Sequence, residues 1–248
     1  MSLPASMGEP RLPGRVAVIT GGGRGLGRAV VRALAREGAD VAFSYRESRK
    51  SALEEAEALR RMGRRTFTGA ADARVPGEVA AFVEEAADRL GGVDVLVNNV
   101  GVFRRTPLEE ISEEALDEAF DVNVKAAVMA SRSAAPHMRR RGGGAIVNVA
   151  SLGGLRPWPS HLAYCASKAA LLMATRCLAV ALAPQIRVNA VAPGVLDPPG
   201  AEDAVRRRIP AGRFGTHAEA VEAILFLAAG AGYTTGEVLG VDGGRGLV

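Results

Sequence analysis

Short apolar runs alternate along the chain with longer stretches in which apolar residues recur every three or four positions. The first run, Arg15-Val-Ala-Val-Ile-Thr20, predicts a strand. The amphipathic stretch Gly25 to Glu37 predicts a helix, and Gly38 is its natural C-terminal stop. Further strands are predicted at Asp40–Ser44, Arg65–Ala70, Val93–Asn98, Ala145–Ala150, Ile186–Val191 and Glu237–Val241. Helices are predicted between them at Ser48–Met62, stopped by Gly63, and at Pro76–Leu90, with Pro in the first turn. Ser112–Met138 reads as one long helix that Ser112 can cap, although no capping box follows it. Ser160–Ala183 is a second long helix, rich in Ala and Leu. A Pro/Gly-rich loop, Pro193–Gly200, precedes a short basic helix, and His217–Ala229 is the last helix. This β-α-β alternation implies an α/β fold, a doubly wound, mostly parallel seven-stranded sheet with helices on both faces. No linker or repeat interrupts it, so residues 14–248 are expected to form one domain behind a flexible tail, residues 1–13. Ligands of such sheets bind beyond the carboxyl ends of the strands.

Composition narrows this picture. The chain has 248 residues, enough for a full core, with 48% hydrophobic and 23% charged positions. Its net charge of +4 is only mildly basic, and 4% aromatics leave few platforms for stacking bases, so no nucleic-acid partner is expected. No apolar run reaches the roughly 18 residues of a membrane span, so no membrane partner is expected. Met1 to Gly14 holds three prolines and no apolar stretch of the kind a signal peptide needs. Cys165 and Cys177 fall in one predicted helix, about 18 Å apart by helical rise, too far to bridge. Both are read as buried thiols of a reducing cytoplasm. His137, His161 and His217 lack ligand-like spacing, and no metal site is predicted.

Two features carry chemistry. Thr20-Gly-Gly-Gly-Arg-Gly-Leu-Gly27 joins the first strand to the first helix. Glycines there permit a tight turn and close approach to a phosphate, which the helix N-terminus attracts. An acid at the end of the second strand would suit a ribose 2′-hydroxyl, but Phe43-Ser-Tyr-Arg46 has none. Arg24 and Arg46 are either ordinary surface arginines or guanidiniums for a 2′-phosphate, and the second reading favours NADP(H). The other feature is Tyr164-Cys-Ala-Ser-Lys168. Lysine supplies three of the 31 basic side chains, and there are three tyrosines, so such a pair is expected by chance about 0.04 times. Residues four apart share a helix face, which puts a phenol and a compact ammonium in one space.

With Thr20-Gly-x-x-x-Gly-Leu-Gly27, Asn98-Asn-Val-Gly101, Asn123, Ser151 and Tyr164-x-x-x-Lys168 in this order, the chain resembles the short-chain dehydrogenase/reductase family, from about Pro13 to Gly244. Ile209-Pro-Ala-Gly-Arg-Phe-Gly215, Thr235-Gly236 and Val241-Asp-Gly-Gly244 look most like its 3-oxoacyl-(acyl-carrier-protein) reductases. The resemblance implies a Rossmann-type fold, a homotetramer and NADPH-dependent reduction of a carbonyl to an alcohol. It makes Tyr164 the proton donor, its pKa lowered by Lys168, which also holds the nicotinamide ribose. Ser151 would hydrogen-bond the substrate oxygen, and Asn123 would hold a water in a proton relay. Gly21, Gly25, Leu26 and Gly27 would cradle the cofactor with Arg24 and Arg46. Asp72 and Ala73 would flank adenine, Asn99 and Gly101 would lie beside the ribose, and Pro193, Gly194 and the Leu196 backbone would close over the nicotinamide.

The substrate is implied less sharply. A 3-oxoacyl thioester, free or on an acyl carrier protein, leads. A pterin or another small ketone is the alternative, because Leu196-Asp-Pro-Pro199 resembles the pteridine reductases. A non-catalytic NADP-binding sensor would tolerate loss of Tyr, Lys or Ser, and all are present. Val100 replaces the usual Ala of its motif, and Pro198 can offer neither hydroxyl nor N–H where the family often has Thr. Arg139-Arg-Arg141 and Arg206-Arg-Arg208 either dock an acidic carrier protein or are solvated helix ends. Arg156-Pro-Trp-Pro159 holds the only Trp and can wall the substrate pocket.

Overall fold

A computed structural model describes residues 9–198 and 203–248. Seven strands form one sheet: β1 (Val16–Ile19), β2 (Asp40–Tyr45), β3 (Thr66–Ala70), β4 (Val95–Asn98), β5 (Gly144–Val149), β6 (Ile186–Pro193) and β7 (Val238–Val241). Their order is β3-β2-β1-β4-β5-β6-β7, and every pairing is parallel. The order reverses between β1 and β4, which opens a crevice at their carboxyl ends.

Parallel strands buried on both faces need apolar side chains at every position, and β1 and β4 are buried throughout. Alternation sends Ala17 and Ile19 to one face and Val16 and Val18 to the other. Helices α1 (Gly25–Arg36), α2 (Arg49–Arg61) and α8 (His217–Leu225) contribute to the first core. On the second face lie α3 (Pro76–Leu90), α5 (Ala126–Arg140) and α6 (Leu162–Leu182). Two further helices, α4 (Glu113–Phe120) and α7 (Asp203–Arg206), are short. Below the sheet, the buried Asp94 carboxylate accepts hydrogen bonds from Val16 N, Arg15 Nη1 and Arg141 Nε, each at 2.8 Å.

Three sequence expectations need correction. Residues 1–8 of the expected tail lie outside the described residues, but the rest of it is packed: Leu12 is buried in the first core, and Arg11 pairs with Glu37 at 2.6 Å. The expected helix Ser112–Met138 is interrupted by a π turn, Asp121–Lys125, between α4 and α5. Ser112 does cap α4, accepting from Ala115 N at 3.3 Å. Cys165 is only half-buried and Cys177 is exposed, because both fall off the sheet-facing side of α6. The helix α6 has the length and composition of a membrane span, a test that the core helix of a soluble protein passes as well. Its buried side carries Ser167, Lys168 and Thr175 against the sheet, and its other side exposes Leu162, Met173 and Val180. Pro199 and Gly200 of the expected loop lie outside the described residues.

Candidate active site

The crevice is a cleft of about 640 Å³. Of the expected cofactor residues it is lined by Gly21, Arg24, Gly25, Leu26, Gly27, Arg46, Asp72, Ala73, Asn99 and Gly101. The glycine loop is tied down by side chains. Asn99 Nδ2 donates to Thr20 O and Gly21 O, both at 3.0 Å, and Gly21 N donates to Ser44 Oγ at 3.0 Å. Gly27 cannot be replaced, since a Cβ there would stand 2.1 Å from Gly21 O and 2.5 Å from Asn99 Nδ2. The first turn of α1 holds no acidic residue, and no side chain caps it. Its N–H groups therefore face the cleft as an anion site. Arg24 and Arg46 stand beside it, Arg46 paired with the exposed Glu47 at 2.7 Å. The free N–H groups and the two guanidiniums fit the phosphates of a dinucleotide, although Glu47, two residues past β2, also lines the cleft. Asp72 is less free than the sequence suggested. Arg74 takes its carboxylate in an ion pair and holds its pKa below the usual range.

The proton-handling groups meet beyond β4 and β5. Tyr164 lies in the first turn of α6, and Lys168 one turn on, 3% exposed. Lys168 Nζ is 6.0 Å from the Tyr164 ring centroid and donates to Val149 O at 2.8 Å. It borders the cleft, for a Cβ on Gly101 would be 3.2 Å from Nζ. Burial pushes the Lys168 pKa down to about 8. Burial pushes the Tyr164 phenol up, against a smaller pull downward from the neighbouring Ser151 hydroxyl. The sequence leads us to expect a phenol lowered by Lys168; burial instead dominates and holds it above its ordinary value. Ser151 follows β5 by two residues and also accepts from Gly153 N at 3.0 Å, so it caps a turn and faces the phenol together.

Asn123 sits in the π turn, 1% exposed. Its Oδ1 accepts from Val102 N at 2.8 Å, and its Nδ2 donates to Val102 O at 3.2 Å and Ser167 Oγ at 2.9 Å. Protein groups thus occupy both ends of the amide, which binds the strand-end loop to α6.

Pro193, Gly194 and Leu196 do not line the cleft; they leave the end of β6 toward β7. Gly194 N donates to Val241 O at 2.9 Å, and Leu196 bridges Gly215. The hydrogen bonds of that bridge use Val195 O and Asp197 N, flanking Leu196. Of the basic clusters, Arg141 is committed to Asp94 and Arg140 contacts His137 at 2.7 Å, so a structural role accounts for most of the first. In the second, Arg206 pairs with Asp203 at 2.9 Å.

Sequence reasoning missed Phe103. It lies two residues past Gly101, lines the cleft, and stands edge-on to Tyr164 with centroids 4.8 Å apart. Its place just after β4 was the available signal. Trp158, expected as a wall, stacks on Tyr164 at 6.0 Å and 19°. Among the described residues no His, Cys, Asp and Glu cluster could hold a metal.

Known proteins match this architecture along its length. A family model described as enoyl-(acyl carrier protein) reductase matches residues 21–245. The 3-oxoacyl-[acyl-carrier-protein] reductase of Thermotoga maritima is 37% identical over 94% of this chain and 98% of its own. A short-chain dehydrogenase from Burkholderia cenocepacia, solved in complex with NADP, superposes with a TM-score of 0.90 at 36% identity, covering 95% of this chain and 99% of that one. Acetoin dehydrogenase from Enterobacter cloacae does so with a TM-score of 0.88 at 32% identity, covering 94% and 96%. The chain belongs to the short-chain dehydrogenase/reductase family.

Proposed function

We propose that this short-chain dehydrogenase/reductase is an NADPH-dependent oxidoreductase that reduces a ketone to a secondary alcohol. The observation that carries the reading is the convergence of Tyr164, Ser151 and Lys168 beside a phosphate-type cleft. The NADP complex of the Burkholderia cenocepacia protein supports the same cofactor here. The first-turn N–H groups of α1 would hold the pyrophosphate, Arg24 and Arg46 the 2′-phosphate, and Asp72, Ala73, Asn99 and Gly101 would line the adenosine half. Bound NADPH supplies a hydride to the carbonyl carbon.

The chain's own groups handle the oxygen. Ser151 donates to the carbonyl oxygen and orients it against the phenol. Tyr164 then gives its proton to that oxygen as negative charge grows on it. A phenol with a raised pKa keeps its proton until that moment, which suits reduction. Lys168, charged below a pKa of about 8, would hold the ribose side of the cofactor. Asn123 acts as a positioning residue, since its amide fixes Val102 against Ser167. Pro193, Gly194 and Leu196 would approach the nicotinamide from the end of β6.

The Thermotoga maritima reductase supports a 3-oxoacyl thioester as substrate, free or carrier-bound. A compact ketone is favoured by the rings packed around Tyr164 and by the likeness to acetoin dehydrogenase. Assembly as a homotetramer is supported by the exposed apolar side of α6. The chain's unpaired thiols suit the cytoplasm.

NADPH oxidation measured with acetoacetyl-CoA, acetoin, acetophenone and dihydrobiopterin tests the reading. Ketone-dependent oxidation with at least one is expected. Tight NADPH binding without oxidation of any would reject a reductase.

A further inference from the structure

The core between β4, β5 and the helices that cover them holds polar side chains that the chemistry does not use. Asn98, Ser131, Asn148 and Thr175 are each 3% exposed or less. Burying such groups costs free energy unless they pair, so a connected set calls for a reason. Together they form one chain of hydrogen bonds across four elements. Asn98 of β4 and Asn148 of β5 stand opposite each other in the sheet, and Asn98 Nδ2 donates to Asn148 Oδ1 at 2.8 Å. Asn98 Nδ2 also reaches Ser131 Oγ of α5 at 3.2 Å. With its oxygen so occupied, Asn148 turns its Nδ2 to α6 and donates to Thr175 Oγ1 at 2.8 Å. Thr175 Oγ1 in turn donates to Leu171 O at 2.8 Å, which leaves its lone pairs for Asn148.

The end of β5 and the residues after it meet α6 in reverse order. Asn148 meets Thr175, Val149 O accepts from Lys168 Nζ at 2.8 Å, and the Ser151 hydroxyl neighbours the Tyr164 phenol. The last two contacts set the proton-handling geometry. The first lies two turns further along the same helix face, about 10 Å beyond Lys168. The rest of that face does little to fix register. Ala and Leu dominate α6, and apolar contact is non-directional, so it tolerates a small slide or roll that a hydrogen bond does not. A buried polar pair can supply such specificity at a cost in stability.

We propose that Asn148 and Thr175 are positioning residues, which fix α6 on β5 so that Lys168 and Tyr164 stand where proton delivery needs them, against Val149 O and Ser151. The proposal rests on the ketone-reductase reading and deepens it. Neither side chain lines the cleft, so neither touches cofactor or substrate, and their effect passes through the helix. Asn98 and Ser131 support the pair from behind by holding the Asn148 amide in one orientation. Without the Thr175 hydroxyl, Asn148 Nδ2 loses its partner and α6 is free to shift. Such a shift loosens Lys168 from Val149 O and admits water to the ammonium, whose pKa then rises from about 8 toward its ordinary value.

The test uses Thr175→Val and Thr175→Ala, which remove the hydroxyl, the first keeping the branched shape, and Thr175→Ser, which keeps it. In the first two, kcat for ketone reduction is expected to fall about tenfold, with NADPH affinity within about threefold of the parent. Thr175→Ser should restore kcat to within about threefold. A second readout needs no turnover. Lys168 is one of three lysines, so NMR of isotope-labelled lysine follows its titration directly. Its pH midpoint is expected to rise by about half a pH unit or more in Thr175→Val and to keep the parent value in Thr175→Ser. A midpoint unmoved by loss of the hydroxyl overturns the proposal whatever kcat does, because general destabilisation also lowers kcat. A moved midpoint with kcat unchanged overturns it too, since the position of α6 would then not govern proton delivery. Both results leave ketone reduction intact. A parent that turns over no ketone removes the reductase reading instead, and the Lys168 midpoint alone then decides whether the pair positions α6.

Discussion

Lys168 shows most clearly what a single side chain gives up for chemistry. It is buried as a cation with one backbone carbonyl as its hydrogen-bond partner, and its pKa falls from 10.5 to about 8. Between those values the unfolded chain holds a proton that the folded chain has released, so stability rises with pH across that window and is lowest below it. Lys168→Met removes the buried charge. The variant is expected to be more stable than the parent at pH 7 by about 1–3 kcal/mol, and to lose that advantage toward pH 10.5, while turnover collapses. Denaturant melts at the two pH values check this; a variant less stable at pH 7 would contradict it. Arg46 makes the complementary point on the surface. Arg46→Asp is expected to weaken NADPH binding by roughly 10–100-fold and NADH binding far less, measured by titration of each cofactor. An unchanged preference would remove Arg46 from the 2′-phosphate site. Sequence spacing placed Tyr164 and Lys168 on one face, but it could not give the direction of the phenol's pKa. That depends on how deeply the folded loops bury the ring, which spacing along a helix does not encode.

The elements were legible where period and punctuation agreed. Apolar runs marked all seven strands, and Gly38 and Gly63 ended their helices with positive φ, as stop residues do. The π turn at Asp121–Lys125 was not legible, because a bulge adds a residue to the turn without altering composition. Leu12 was missed because one leucine among prolines has no period, though it is buried against the first core. Asp94 is the strongest cross-element tie, joining the start of β1 to the end of α5 through Arg141. Burial raises its pKa, but Arg141, Val16 N and Arg15 outweigh that and hold it below the usual carboxylate value. Its contribution is present above the unfolded pKa and is lost as pH falls through the depressed folded one. Asp94→Asn should cost about 2–4 kcal/mol at pH 7, and the gap from the parent should narrow in urea melts as pH falls below the ordinary carboxylate range. A gap that persists in acid would show that packing, not charge, makes the difference.

At the scale of the whole molecule, the sheet order places the glycine loop, the end of β4 and the end of β5 side by side, though Gly21 and Ser151 are 130 positions apart in sequence. The order of motifs made this convergence readable. The packing of Phe103 and Trp158 on Tyr164 was not, because which rings meet depends on loop paths that no local pattern encodes. The outer side of α6 is apolar and exposed: Met173 is 56% exposed and Val180 82%. A helix so apolar on its outer side calls for cover, and the proposed homotetramer would supply it from a second copy. Sedimentation velocity should show a tetramer for the parent and smaller species for Val180→Arg. A parent that stays monomeric would contradict the assembly.

The central claim is that Tyr164 delivers the proton in ketone reduction. Tyr164→Phe keeps the ring packing against Phe103 and Trp158 and removes only the hydroxyl. The account predicts a loss of kcat of roughly 10²–10⁴-fold with NADPH affinity within about twofold of the parent. Turnover retained by Tyr164→Phe, with NADPH still bound, would contradict it.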